Sequence, residues 1–181
     1  MTQPTSIAFR SDPRSSDTEA VRAIVESTGF FHDFEVDTAV ELVQERLARG
    51  LDSEYHFVFA DDASSDETIG YACFGPIACT IGSFDLYWIA VHAKHQGHGL
   101  GRRLMEEAVR AMKAGIPEAS GRIHHARRIY IETSSQAKYE PTRRFYERCG
   151  CTLEARMDSF YAPGDDKLVY VLAGDAITSE S

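Results

Sequence analysis

The sequence predicts an α/β fold: one mixed sheet, part antiparallel and part parallel, flanked by about four helices. Three observations carry this. Apolar positions recur at helical spacing in some segments and form short continuous runs in others. The early strand candidates are separated only by polar turns, as hairpins are. Two apolar strands, Phe84–Val91 and Arg128–Thr133, then flank an amphipathic helix, the pattern of a parallel crossover.

The elements follow in order. Ile7–Arg10 is a short strand. Ser16 and Glu19 have capping-box spacing, and Val21, Ile24, Val25 and Thr28 continue a helix that Gly29 ends. An aromatic loop, residues 30–34, leads to a second helix with Val36, Val40, Val43 and Leu47 on one face, closed by Gly50. Tyr55–Ala60 and Ile69–Ile77 read as a hairpin around a polar turn at 61–67. Phe84–Val91 is almost wholly apolar, so it is a central strand covered on both faces. After the loop 92–99, Leu100, Leu104, Ala108 and Met112 line a helix that Gly115 ends, and 115–127 reads as loop. Pro141 suits the first turn of a short helix that Gly150 stops. Thr152–Met157 and Lys167–Ala173 are the last strands, joined through Pro163-Gly164-Asp165-Asp166. No repeat divides the 181 residues, which fit one domain over 1–181, with a core of about 5–174 and a frayed tail after Gly174.

Composition excludes several function classes. Hydrophobic residues make up 43% and charged residues 26%, which is globular. The net charge of −9 opposes nucleic acid and anionic membrane as partners. The first thirteen residues lack the apolar core of a signal peptide, and no stretch is long and apolar enough to span a bilayer. Cys73, Cys79, Cys149 and Cys151 form no CxxC pair and no disulfide framework. A cytoplasmic protein with reduced thiols is expected. His92, His95 and His98 lie in a loop with no completing ligand, so no metal is expected.

Chemistry concentrates at Gln96-Gly97-His98-Gly99-Leu100-Gly101, between a buried strand and a helix start. Glycines permit a tight turn and close approach, and the free N–H groups of the helix make an anion site. Arg102 and Arg103 add positive charge. A phosphate-bearing ligand is expected. A P-loop requires Gly-Lys-Ser/Thr, which is absent, and a dinucleotide fingerprint fails at Arg102 in one register and Leu104 in the other.

Gln96-x-x-Gly99-x-Gly101 resembles the pyrophosphate loop of the GNAT superfamily of N-acetyltransferases. Leu86–Val91 is similar to that family's pantetheine-binding strand, and Phe145-Tyr146-Glu147-Arg148-Cys149-Gly150-Cys151 to its Leu/Phe-Tyr-Glu-x-x-Gly-Phe segment. The resemblance spans about residues 7–173. It implies a GNAT-like fold, acetyl-CoA as cosubstrate, and direct transfer of an acetyl group to a primary amine in a ternary complex. It implies that Gln96, Gly97, His98, Gly99, Leu100, Gly101 and Arg102 hold the pyrophosphate, and that Ile89, Ala90 and Val91 line the pantetheine arm. Tyr139 stands where the family often has a cofactor-contacting Asn. Tyr146 matches the tyrosine that protonates the departing thiolate, a role suited to a phenol with pKa about 10.

No motif fixes the base. Glu132 and Asp85, each on a central strand where an unpaired carboxylate is costly, are the candidates, Glu132 ranked first; a salt bridge would equally explain either. Phe30, Phe31 and Phe34, with Asp33 and Glu35 nearby, suit an amine with an apolar body, and would equally anchor their loop. The expected acceptor is a small-molecule amine. A protein or peptide amine, and a non-catalytic CoA sensor, are the alternatives. Pairing through sheet edges makes a homodimer possible.

Overall fold

A computed structural model describes residues 6–173; the expected tail after Gly174 lies outside the described residues. The chain runs β1 (Ile7–Arg10), α1 (Asp17–Thr28), α2 (Asp33–Arg49), β2 (His56–Asp62), β3 (Glu67–Pro76), β4 (Ser83–Val91), α3 (Leu100–Ala114), β5 (Ile116–Pro117), β6 (Ile123–His124), β7 (Arg128–Ser134), α4 (Glu140–Arg148), β8 (Thr152–Ala162) and β9 (Asp165–Ala173). Seven strands form one sheet in the order β1-β2-β3-β4-β7-β9-β8, and β5 and β6 form a separate two-stranded hairpin. The β4–β7 pair is parallel and the other pairs are antiparallel. The mixed sheet with four helices is therefore the predicted fold. Among the described residues no helix is long and apolar enough to cross a membrane.

Each sheet face carries its own apolar core. On one, Val21, Ile24 and Val25 of α1 and Val36, Ala39, Val40 and Val43 of α2 pack on Phe57, Phe59, Tyr71 and Cys73. On the other, Leu100, Leu104, Met105, Ala108 and Met112 of α3 pack on Phe74, Phe84, Leu86, Ile129 and Ile131. Leu47, expected on the buried stripe of α2, is 40% exposed.

Strand β4 changes frame partway. Cys73 pairs with Trp88 and Phe74 with Leu86, so Tyr87 is an inserted residue. Such a bulge bends its strand and re-aims side chains. Before it, Phe84 and Leu86 belong to the α3 core; after it, Ile89 and Val91 do, while Trp88 and Ala90 join the α1–α2 core. The parallel ladder covers only Ser83↔Arg128, Phe84↔Ile129 and Asp85↔Tyr130. Past that point the two central strands part.

Three local expectations are corrected. Ser16 makes no side-chain cap. Asp17 instead roots α1, accepting from the Arg14 N–H (2.6 Å) and from the Arg10 guanidinium (2.5 and 2.8 Å). Arg10 also binds Asp61 (2.7 Å), and Thr68 bridges the two carboxylates. Tertiary charge pairing thus displaced a local cap. The reciprocal start occurs at α2, where the His32 N–H donates to Glu35 Oε2 (2.8 Å) and the Glu35 N–H to the His32 carbonyl (2.9 Å). Phe34 accordingly lies in a helix. Finally, the expected loop 115–127 holds the β5–β6 hairpin, whose two-residue strands are too short to show a period.

Candidate active site

The site lies where β4 and β7 part. Gly99 caps α3 in the left-handed conformation (φ 80°), and Gly97 shares it (φ 81°). A Cβ at either position would meet nothing within 4 Å, so the loop stands open. Only glycine adopts this backbone without strain. Among the described residues, none of the N–H groups of Gly97, His98, Gly99, Leu100 and Gly101 finds a hydrogen-bond partner in the loop or helix, and the Arg103 N–H donates to the Gly99 carbonyl (3.2 Å). Five consecutive free donors at the positive end of a 15-residue helix fit a pyrophosphate.

Side chains around the loop are divided. Leu100 is buried in the α3 core, so only its backbone serves the loop. Gln96 ties the loop to β4, its Nε2 donating to the Val91 carbonyl (2.9 Å). Arg102 pairs with Glu106 (3.0 Å), while Arg103 sits over the Phe9 ring (5.3 Å), away from the loop. His98 is exposed. Ile89, Ala90 and Val91 lie on the part of β4 that has lost its β7 partner. Their free edge is suited to the amide groups of an extended arm.

Tyr146 lies on α4, 7% exposed, packed between Phe145 (5.6 Å) and Tyr170 (6.0 Å). Burial raises its pKa, so the phenol stays protonated at neutral pH. Its hydroxyl has no hydrogen-bond partner among the described residues. Burial pushes the nearby Cys151 thiol up to about 12 and raises Cys149 too. Neither is a ready nucleophile.

The two candidate bases lie on the opposite face and differ sharply. Glu132 is half-exposed and bound to Lys167 (2.7 Å), whose ammonium also sits over the Phe160 ring (4.0 Å). Asp85 is half-buried and has no hydrogen bond or ion pair among the described residues. Burial raises its pKa, Glu132 raises it further, and Lys167 opposes both. Aromatic rings surround this face. Phe31 packs on Trp88 (5.0 Å) and Phe30 on Tyr139 (6.1 Å). Tyr139 therefore sits with the α1–α2 loop, and Lys138 Nζ donates to the Phe30 carbonyl (3.2 Å), bridging that loop to the turn before α4. Phe34 is 69% exposed and stacks on His32, outside this cluster. Lys167 was not singled out from sequence; it meets Glu132 only across paired strands, with no local signal. Among the described residues, no three His, Cys, Asp or Glu side chains come together to hold a metal.

Comparisons with known proteins identify the family. The family model for the acetyltransferase (GNAT) domain matches residues 52–150. A structure from Desulfovibrio desulfuricans, described as a candidate acetyltransferase of the GNAT family, is 46% identical, covers 93% of this chain and 99% of its own, and has a TM-score of 0.85. A spermidine N-acetyltransferase chimera from Vibrio cholerae (16% identity, 93% and 95% covered, TM-score 0.72) shares the fold. So does the NatC complex bound to Gag peptide and CoA (17%, 92% and 98%, 0.67). No curated protein matches the sequence. With the family model spanning over half the chain and the Desulfovibrio structure close along nearly all of it, this chain belongs to the GNAT superfamily of N-acetyltransferases and is an acyltransferase.

Proposed function

We propose that this enzyme moves an acetyl group from acetyl-CoA directly to a primary amine of a small molecule. The observation that carries the proposal is the parting of β4 from β7. It leaves a free strand edge with five open amides at its end, and an unpartnered carboxylate, Asp85, on the opposite face. Acetyl-CoA would supply the activated thioester. Gly97–Arg102 would hold its pyrophosphate by backbone donors, and Ile89–Val91 would pair with its pantetheine arm.

Asp85, directly or through one water, takes a proton from the ammonium so that the amine nitrogen is free to attack. The C–N bond forms as the C–S bond breaks; Tyr146 gives its proton to the leaving sulfur and regains one from the new amide nitrogen, which sheds its excess proton, so that one proton is left on Asp85 for release to water. Glu132, held by Lys167, keeps a fixed negative charge near Asp85 and supports a raised proton affinity there. The ordering of Glu132 over Asp85 expected from sequence is thereby reversed in this proposal. The small-molecule acceptor is supported by the Lys138–Phe30 bridge, which ties the α1–α2 loop to the turn before α4 beside the aromatic rings.

The test is steady-state acetylation of a panel of free amines and peptides by the parent, Asp85→Asn and Glu132→Gln. We expect turnover of free amines, a loss of about 100-fold or more in kcat for Asp85→Asn, and a change under about threefold for Glu132→Gln. Turnover confined to peptides removes the small-molecule acceptor. Equal kinetics in Asp85→Asn and parent removes Asp85 as base.

A further inference from the structure

We propose that a cleft at the far end of the sheet is a second binding site, for a small organic cation: a protonated amine on an apolar body. The cleft lies between the turn after α2, the loop joining β3 to β4, and the β5–β6 hairpin, and encloses about 540 Å³. That volume is within the range of about 300–1,000 Å³ typical of small-ligand sites. It adjoins the C-terminal end of α3, about 22 Å along that 15-residue helix from the glycine loop.

The cleft has a fixed frame. The Ala119 N–H donates to the Leu51 carbonyl (3.3 Å), tying the hairpin to the turn after α2. A Cβ on Gly75 would stand 2.3 Å from the Glu54 carbonyl oxygen, so β3 and the rim segment are in close contact.

His56 forms the floor. It is 7% exposed, stacks on Phe74, lines the cleft, and has no hydrogen-bond partner among the described residues. Burial, Arg46 and His124 lower its pKa to about 4, so it is neutral at neutral pH. A neutral imidazole offers one lone pair and one N–H, and polar groups this buried are normally satisfied. Ser53 beside it is 2% exposed; its Oγ accepts the Tyr55 N–H (3.2 Å) and its own proton is free to donate.

Charge selects the ligand. Asp52 and Glu54, on either side of Ser53, have no ion pair among the described residues. Across the cleft Glu118 is fixed by Ser120 and by His124 (2.9 Å), contacts that lower its pKa and keep it ionised. Against these three carboxylates the cleft presents one guanidinium, Arg122. The apolar part of a ligand has a surface waiting: Ile81, at the mouth, is 86% exposed. A cation with an apolar body uses the carboxylates, the imidazole lone pair and this wall together. An anion uses none of the carboxylates.

The experiment is a titration of the ¹⁵N-labelled full chain with n-hexylamine, n-hexanol and hexanoate, following the His56 ring resonances, assigned by their loss in His56→Gln. We expect saturable shifts with hexylamine and none with hexanoate. We expect affinity to fall about tenfold or more in the Asp52→Asn/Glu54→Gln double variant, and to be unchanged in Asp85→Asn, which separates this site from the acceptor face. Added salt should weaken hexylamine binding in the parent, a readout that needs no variant. Unmoved His56 resonances, equal response to hexanol or hexanoate, or a dissociation constant indifferent to salt and to the double variant overturns the proposal.

Discussion

The two faces of the sheet recognise by different means. On the α3 face the donors are backbone amides, presented by two left-handed glycines and a helix start. The side chains behind them are apolar and serve the core. On the α1–α2 face the work falls to side chains: a buried Arg10–Asp17–Asp61–Thr68 network holds the helices, and Asp85, Glu132 and Lys167 share one strip of sheet. A backbone site tolerates side-chain change but not bulk. A side-chain site tolerates bulk at its rim but not loss of charge. This contrast is what a mutational series should break or sharpen.

The largest expected effect is on the charged face. Asp17 is fully buried, and Asp17→Ala strands the Arg10 guanidinium beside a single carboxylate. Breaking such a pair should cost about 3–5 kcal/mol of unfolding free energy, read by urea titration; a loss under about 1 kcal/mol would show that Asp61 alone suffices. Next comes the backbone site. Gly101→Glu should weaken acetyl-CoA binding by about 100-fold or more, since it sets bulk and charge beside the amide row. Gly101→Ala should bind nearly as the parent does, because its Cβ would meet only the Phe145 ring at 3.5 Å. Calorimetry distinguishes them, and equal loss in both would end the bulk argument.

Smaller effects test the chemistry. Tyr146→Phe should lower kcat by about tenfold with little change in acetyl-CoA affinity; an unchanged kcat would leave Tyr146 a packing residue. The smallest is a shift along the pH axis. Lys167 opposes the rise in the Asp85 pKa, so Lys167→Met should raise that pKa. Activity depends on ionised Asp85, so the acid limb of kcat/KM should move to higher pH. A limb that stays in place, or moves to lower pH, would separate Lys167 from the base.

The same contrast explains what was legible in the sequence. Backbone devices are written locally. Gly29, Gly50, Gly115 and Gly150 mark the ends of helices where expected, and the glycines of Gln96–Gly101, between a strand and a helix, raise the expectation of an anion loop. Side-chain devices are written across the fold. The Ser16 cap failed because Asp17 answers to Arg10 on another element. Glu132 ranked above Asp85 in sequence, where nothing local showed which of the two is salt-bridged. Only pairing β7 with β9 brings Lys167, 35 positions away, onto Glu132 and leaves Asp85 uncommitted. The distal cleft had no signature at all, since Ser53 and His56 meet Glu118 only across the fold.

Tyr87 gives β4 an odd grammar. Upstream, Asp85 is turned toward the α1–α2 helices; downstream, Trp88 and Ala90 are, although 85, 88 and 90 cannot share one face of a regular strand. One inserted residue reconciles them. Excising it would let the remaining residues of 84–91 alternate regularly, each on the face it now occupies, and would take away only the bend that the bulge gives the strand. Loss of Tyr87 would thus be silent in the two cores and felt only where β4 must bend away from β7.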